Sequence, residues 1–247
     1  MGKYHNYDDY AEEYARTRQA FQWILDSLIK KAKALPNNST IIEIGCGTGN
    51  YIVALAKVMP GFIYKAFDIS DKMLSVAKAR SDVIDFSNGN ADISFPYPDN
   101  TMDLSFAVDV IHHITNLEIF FQEVSRTLKL NGSFILVTDS KENIRKRSLS
   151  KYFPEILEIE LNRYSGKDEL YYIANAANLK IIESHKAEGF VELSNDFISK
   201  LGRKCSSAMR LIPDEKHKEG MERLREGQKR GEKWFSSYTV INYQKVK

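Results

Sequence analysis

Three glycines at alternate positions, Gly45, Gly47 and Gly49, directly follow the mostly apolar run Ile41 to Ile44. Such a pattern is typical of a buried strand that ends in a tight turn and leads into a helix. Glycine tolerates positive φ and has no Cβ, so a ligand can approach the backbone amides at the start of that helix. A tight turn needs glycine with or without a ligand, so the loop alone leaves both interpretations open.

An acidic residue at the end of the next apolar segment favours a ligand. Asp68 follows the run Phe62 to Phe67 and lies about 20 residues after Gly49, the separation typical of a ribose-binding acid. A carboxylate there accepts hydrogen bonds from both ribose hydroxyls and repels a 2′-phosphate, so adenosine is compatible and NADP is not. The spacing G-x-G-x-G also departs from the dinucleotide pattern G-x-G-x-x-G, which makes the match to NAD imperfect and suits a ligand without phosphates.

The apolar runs that read as strands alternate with amphipathic patterns that read as helices, among them Tyr51 to Val58 and Leu117 to Leu128. This alternation predicts an α/β fold with a doubly wound, mostly parallel sheet. Ligands on such sheets bind at the carboxyl ends of the strands. The glycine loop, Asp68, Asp92 and the residues after Val108 all fall at such ends, so they are expected to share one crevice.

The segment Glu43-Ile44-Gly45-Cys46-Gly47-Thr48-Gly49 resembles the first motif of class I S-adenosylmethionine (SAM)-dependent methyltransferases. The resemblance extends through most of the first 140 residues and is of the small-molecule type, similar to quinone-biosynthesis and sterol-type enzymes. It implies a Rossmann-like, seven-stranded sheet that ends in a reversed hairpin pair. It also implies SAM as cofactor, S-adenosylhomocysteine as product and no metal.

The same resemblance implies roles for particular residues. Asp68 corresponds to the ribose-binding acid, Asp92 to the residue that contacts the adenine amino group, and Ile93 to the backbone amide at the ring. The full set of expected cofactor contacts is Glu43, Gly45, Cys46, Gly47, Gly49, Asp68, Ile69, Asp92, Ile93, Val108, Arg18 and Tyr14.

Tyrosines recur along the N-terminal segment at positions 7, 10 and 14, a spacing that places them on one face of a helix. These rings could simply pack the helix onto the core. In relatives with a similar tyrosine and arginine segment, the helix closes over the cofactor. By that resemblance Tyr14 lies near the methyl group, where it is also a candidate catalytic residue, and Arg18 reaches the methionine carboxylate.

The pair His112-His113 follows the predicted fourth strand, where a methyl acceptor is expected to enter. Each histidine could be a satisfied polar group at a helix start, or a base that takes a proton from a phenol, hydroxyl or acidic carbon. Methyl transfer itself requires mainly alignment, because the sulfonium is already an activated donor. We therefore regard His112 and His113 as candidate catalytic residues.

Composition limits the partners. With 43% hydrophobic and 28% charged residues and a net charge of +2, the chain is ordinary for a globular protein. It shows no signal-peptide core and no run long enough to span a membrane, and its two cysteines, Cys46 and Cys205, form neither a disulfide framework nor a metal site. A cytoplasmic location is expected.

Basic residues are frequent in 141–147 and 200–233, which could hold RNA. Acids interleave with them as on a solvated helix face, so nucleic acid is the less favoured partner. The expected function is methyl transfer from SAM to a small organic acceptor. An RNA (tRNA or rRNA) methyltransferase and a non-catalytic SAM-binding module are the alternatives, and the sequence leaves the acceptor and the oligomeric state open.

One domain is predicted over 1–247. Its core comprises about 35–140, 167–187 and 234–247, and a helical cap comprises about 1–34, 141–166 and 188–233. Within the cap, helices are expected over 195–207 and 214–230. The last two strands are expected over 179–185 and 234–243.

Overall fold

The computed structural model describes residues 11–204 and 206–247. Within them seven strands form one sheet: β1 (Thr40–Ile44), β2 (Ile63–Asp68), β3 (Ile84–Asn88), β4 (Met102–Val108), β5 (Leu128–Thr138), β6 (Leu179–Glu192) and β7 (Lys233–Lys245). The α-helices of the same residues are α1 (Ala11–Thr17), α2 (Gln22–Ala32), α3 (Asn50–Val58), α4 (Asp71–Lys78), α5 (Leu117–Thr127), α6 (Lys141–Lys146), α7 (Ser148–Tyr152), α8 (Ile156–Arg163), α9 (Lys167–Ala176), α10 (Asn195–Gly202) and α11 (Asp214–Lys229).

The sheet has the strand order β3-β2-β1-β4-β5-β7-β6. Strand β1 pairs in parallel with β2 on one side and with β4 on the other. Strand β7 lies between β5 and β6 and is antiparallel to both. This confirms the predicted mostly parallel, seven-stranded Rossmann-like sheet. The chain changes direction across the sheet between β1 and β4, the position at which open α/β sheets bind ligands.

The last two strands are longer than predicted. Their antiparallel ladder runs from the pair Leu179 and Lys245 to the pair Glu192 and Lys233, with a register shift between Ile181 and Glu183. Residues 188–192, which the sequence assigned to the cap, therefore continue the sheet. The physical reason is that β7 supplies backbone partners along its whole length, so β6 continues as a strand beyond its short apolar segment.

Helix α2 also lies in a different layer from the one predicted. The sequence placed residues 1–34 in the cap, whereas Ile24 and Leu28 are fully buried in one cluster with sheet residues such as Ile41 and Val240. Apolar residues spaced three and four apart give α2 a stripe that faces the sheet. The part of this segment that covers the site is α1 and the short link to α2.

The cap is built from α6, α7, α8, α10, α11 and a short 3₁₀ turn at Ala208–Arg210. Helix α10 ends at Gly202, earlier than predicted, and α11 matches the predicted helix to within one residue at its end. A separate apolar cluster holds these elements together, with Phe153, Ile198 and Met209 among its buried members. At Gly220 of α11, a Cβ would overlap the ring of Phe153, so glycine is required for this approach.

None of the helices in the described part of the chain combines the length and the apolar character needed to cross a bilayer.

The placement of α2 predicts a large effect of truncating its buried stripe. Leu28→Ala should lower the free energy of unfolding by about 2–5 kcal/mol, because it removes a fully buried side chain and leaves a cavity. Urea unfolding followed by circular dichroism measures this change. Lys30→Ala, on the exposed face of the same helix, should change stability by less than about 0.5 kcal/mol. Equal effects of the two substitutions would indicate that α2 belongs to a loosely attached cap.

Candidate active site

A cavity of about 140 Å³ lies at the carboxyl ends of β1, β2 and β4. Of the residues that the sequence singled out, ten line it: Tyr14, Arg18, Glu43, Gly45, Cys46, Gly47, Asp68, Ile69, Val108 and His113. The structure thus brings together residues of the N-terminal helix, the glycine loop and two further strand ends.

The glycine loop is fixed by contacts with β2. Gly45 and Gly47 have φ values of 66° and 52°, a left-handed conformation that favours glycine. The Gly47 amide donates to Oδ2 of Asp68 at 2.7 Å, while Oδ1 of the same carboxylate accepts from the Ser70 amide at 2.9 Å. A Cβ on Gly45 would come within 2.5 Å of Cγ2 of Val110. The loop therefore presents bare backbone to the cavity and holds the Asp68 carboxylate beside it.

Glu43 ties the end of β1 to the first turn of α3. Its side chain is buried, and Oε2 accepts from the amide of Ile52 at 2.9 Å. Burial raises the pKa of this carboxyl well above its usual range, and the hydrogen bond from Ile52 opposes that shift. Glu43 thus fixes the angle between strand and helix as well as lining the cavity.

Helix α1 and the residues after it cover the glycine loop. A Cβ on Gly47 would lie 3.9 Å from Cε1 of Tyr14, which shows how closely that ring approaches the loop backbone. The guanidinium of Arg18 lies over the Tyr14 ring at 5.8 Å from its centroid and 3.5 Å from Oδ2 of Asp109. Tyr7 and Tyr10, the other members of the predicted stripe, lie outside the described residues, as does Cys205.

Asp109 is a site residue that sequence reasoning missed. It directly follows β4 with a positive φ of 54°, and its carboxylate accepts from the Tyr164 hydroxyl at 2.6 Å. It lines the cavity and connects the strand end to Arg18 and to the end of α8. Its position at a strand end was the available signal, whereas the partners Tyr164 and Arg18 are distant in sequence.

The two histidines occupy different environments. The 3₁₀ turn Ile111–His113 places His113 on the cavity wall, while His112 is buried beneath Tyr164 with ring centroids 4.5 Å apart. Nδ1 of His112 lies 3.6 Å from Oδ1 of Asp109. Burial lowers the pKa of His112 well below its ordinary value, so the ring is neutral near pH 7. His112 therefore lies away from the cavity, contrary to the expectation for a base that touches the acceptor.

Three expected cofactor contacts do not line the cavity. Oδ1 of Asp92 accepts from the amides of Thr115 and Asn116 at 2.7 and 3.0 Å, and Ile93 is exposed. The adjacent wall is formed instead by Gly89, Asn90 and Ala91. Gly49 also lies behind the wall, since a Cβ there would meet Val53 and Ala77. Its glycine serves packing at the start of α3.

Cys46 lines the cavity, but its thiol is not activated as a nucleophile. Burial raises the pKa of its thiol well above the ordinary value, and the nearby Asp68 carboxylate acts in the same direction. A protonated thiol is a poor nucleophile. Across the described residues, no group of three or more His, Cys, Asp or Glu side chains could hold a metal ion.

A second cavity of about 170 Å³ adjoins the first beneath the cap. The two share the lining residues Arg18, Gln19, Phe21 and Tyr238. The remaining wall of the second cavity comes from α10, the end of β6, the start of β7 and residues around the start of α7, together with Thr17, Ser206 and Met209.

Comparison with known proteins finds similarity to methyltransferases. Residues 42–136 match the family described as a methyltransferase domain. The chain is 27% identical over 181 residues to a demethylmenaquinone methyltransferase of Bacillus licheniformis, a match covering 64% of the chain and 77% of that protein. It is 23% identical over 193 residues to a malonyl-[acyl-carrier protein] O-methyltransferase of Bacillus cereus, covering 74% of the chain and 71% of that protein. Two further curated methyltransferases are matched over 40% and 43% of their length.

Among solved structures, the chain resembles a protein of Anabaena variabilis that is described as a methyltransferase from an antibiotic biosynthesis pathway. The TM-score is 0.73 at 24% identity, and the match covers 92% of the chain and 98% of that protein. At this identity the structural likeness shows the fold alone. Together with the family match over residues 42–136 and the two curated relatives, it supports a SAM-dependent methyltransferase of the small-molecule type.

The burial of His112 predicts a dependence of stability on pH. The unfolded chain binds a proton at this histidine below about pH 6.5 and the folded chain resists it, so folding weakens as pH falls through that value. His112→Gln should lose less stability than wild type between about pH 7 and pH 5, with slopes differing by up to about 1.4 kcal/mol per pH unit. Urea unfolding at a series of pH values measures both slopes.

Asp139 titrates in the opposite sense, since burial raises its pKa to about 7, so only the difference between the two proteins isolates His112. The difference at about pH 8, where His112 is neutral in both states, gives the cost of the substitution itself. Parallel curves throughout would contradict the assignment of a depressed pKa to His112.

Proposed function

We propose that SAM binds in the first cavity and that its methyl group passes, by in-line displacement, to a small organic acceptor in the second cavity. The observation that carries this proposal is the shared wall of Arg18, Gln19, Phe21 and Tyr238 between a glycine-loop cavity and a cap cavity. SAM supplies an activated methyl on a sulfonium. The protein's task is to orient donor and acceptor and to exclude water.

The assignment of the ribose to Asp68 rests on its capacity as an acceptor. A carboxylate can accept about four hydrogen bonds, and the amides of Gly47 and Ser70 supply two of them. The bare backbone of Gly45 and Gly47 leaves room for the amino acid part of the cofactor, as the sequence resemblance implies. Asn90 and Ala91 then lie where an adenine would reach the third strand end.

The assignments of Tyr14 and Arg18 follow from their position. Tyr14 lies against the loop and Arg18 above it, where a guanidinium can bind the methionine carboxylate. Tyr14 and Asp109 would border the methyl group. His113, on the same wall, is the histidine placed to contact an acceptor.

Replacing Asp68 tests the cofactor site. Asp68→Asn should weaken S-adenosylhomocysteine binding by at least about tenfold, because hydrogen bonds from ribose hydroxyls to a charged carboxylate are each worth about 1.5–3 kcal/mol. Calorimetric titration measures the affinity. Asp82→Asn removes an exposed carboxylate before β3 and serves as the matched control. Unchanged affinity in Asp68→Asn, or uptake of NAD in place of the nucleoside thioether, would contradict the assignment.

The N-terminal helix is tested separately. Arg18→Ala should weaken S-adenosylhomocysteine binding by roughly tenfold through loss of a charge-assisted contact, and Tyr14→Phe should weaken it less, since only a hydroxyl is removed. Calorimetry under the same conditions compares them. Unchanged affinity for S-adenosylhomocysteine in both variants would indicate that α1 and Arg18 only pack against the core and do not bind the cofactor.

Two alternatives are separable from this proposal. Against RNA, two of the four bases in 141–147 are paired with acids: Lys146 lies 2.8 Å from Glu142, and the buried Arg147 contacts Asp139 and Glu160. A salt-sensitive gel shift with tRNA would favour the RNA alternative. Formation of S-adenosylhomocysteine with any acceptor pool excludes a non-catalytic module. A cytoplasmic location remains a prediction from the sequence.

A further inference from the structure

The charges around the second cavity are arranged asymmetrically. Three cationic residues line it, Arg18, Arg147 and Lys200, together with one acid, Asp196. The side chain of Asp196 is 75% exposed, whereas that of its partner Lys200 is 28% exposed. Both side chains line the cavity 2.7 Å apart, and the ammonium is the less exposed of the two.

The carboxylates that pair with Arg147 and Arg18 do not line this cavity. Arg147 donates to the carboxylates of Asp139 and Glu160, and both carboxylates are buried outside the lining of this cavity. Asp109 balances Arg18 from the side of the first cavity. Three cations and one acid thus line the cavity, and the other compensating carboxylates lie outside its lining.

Arg147 also has an unused donor. Its side chain is only 10% exposed, and among the described residues Nε has no hydrogen-bond partner although both terminal nitrogens are engaged. A buried donor without a partner costs about 1–3 kcal/mol. Arg147 lines the cavity, and its charge acts on a ligand there although Nε itself is enclosed.

The rest of the wall is apolar. It includes Leu149, Val191, Phe197, Leu201, Met209 and Trp234. Desolvation by such a wall strengthens the attraction between a cation and an anionic group. A ligand that fits this wall is therefore mostly hydrophobic.

We propose that the second cavity selects a hydrophobic acceptor that carries one anionic oxygen group, a carboxylate in the simplest case, bound by Arg147 and Lys200. This inference rests on the proposed function, because the cavity is an acceptor site only if SAM occupies its neighbour. Arg147 and Lys200 are specificity-determining residues in this scheme. They bind the acceptor and take no part in bond making.

The test uses three probes of matched chain length: octanoate, 1-octanol and octylammonium. The sequence has two tryptophans, and only Trp234 lines the cavity, so its emission reports binding in a Trp23→Phe background. With S-adenosylhomocysteine present, octanoate should bind at least tenfold more tightly than octylammonium, with octanol between them. Equal or reversed affinities for the two ions overturn the proposal, and so does unchanged Trp234 emission with all three.

Two substitutions assign the selectivity to residues. Lys200→Gln should reduce the preference for octanoate over octanol at least threefold and leave octanol binding unchanged. Arg147→Lys should do the same if it folds, which a thermal melt verifies. Lys229→Gln, exposed on α11, is the matched control and should leave all three affinities unchanged. A folded Lys200→Gln protein that keeps the full preference overturns the assignment.

Calorimetric titration with S-adenosylhomocysteine alone separates this inference from the function on which it rests. If S-adenosylhomocysteine binds and octanoate does not, only the proposed class of acceptor is overturned. Octanoate binding without nucleoside binding overturns the proposed function, and the acceptor role of the cavity with it.

Discussion

The hydrogen bond from the Gly47 amide to the Asp68 carboxylate, at 2.7 Å, is the contact on which the site depends. It joins the loop after β1 to the end of β2, and the amide of Cys46 reinforces it by donating to the carbonyl of Phe67 at 3.0 Å. Parallel neighbouring strands end at the same edge of the sheet, so a single side chain bridges the two ends. Loop, acid and cavity therefore form one unit, fixed by strand register.

Much of this core could be predicted from the sequence. The glycines after Ile44 and the acid at the end of β2 are local signals, because each depends on residues adjacent in the chain. The apolar runs that became β1 and β4 are equally local, since strands buried on both faces have few polar positions. The number of strands and the reversed last pair came from resemblance to a known family, and the structure agrees with both.

The acceptor side could not be predicted in the same way. Asp109 meets Tyr164 across 55 residues, and Arg147 meets Glu160 and Asp139 through the folding of short cap helices. The spacing of residues in the sequence does not predict these long-range contacts, because each depends on the relative positions of several elements. The contacts of Asp92 have the same origin, because its carboxylate accepts from the amides of Thr115 and Asn116, more than 20 residues later in the chain.

Helix α11 has a low intrinsic helix propensity at two of its buried positions. Gly220 and Gly227 are buried within it, and each glycine costs about 0.5–1 kcal/mol relative to alanine in a helix. In return, Gly220 admits the ring of Phe153 and Gly227 the ring of Tyr152, while His217 Nε2 lies 3.2 Å from the carbonyl of Leu201 on α10. Coiling and docking of α11 are thus one cooperative event. Packing on the rings of Phe153 and Tyr152 therefore contributes more to the stability of α11 than its own helix propensity does.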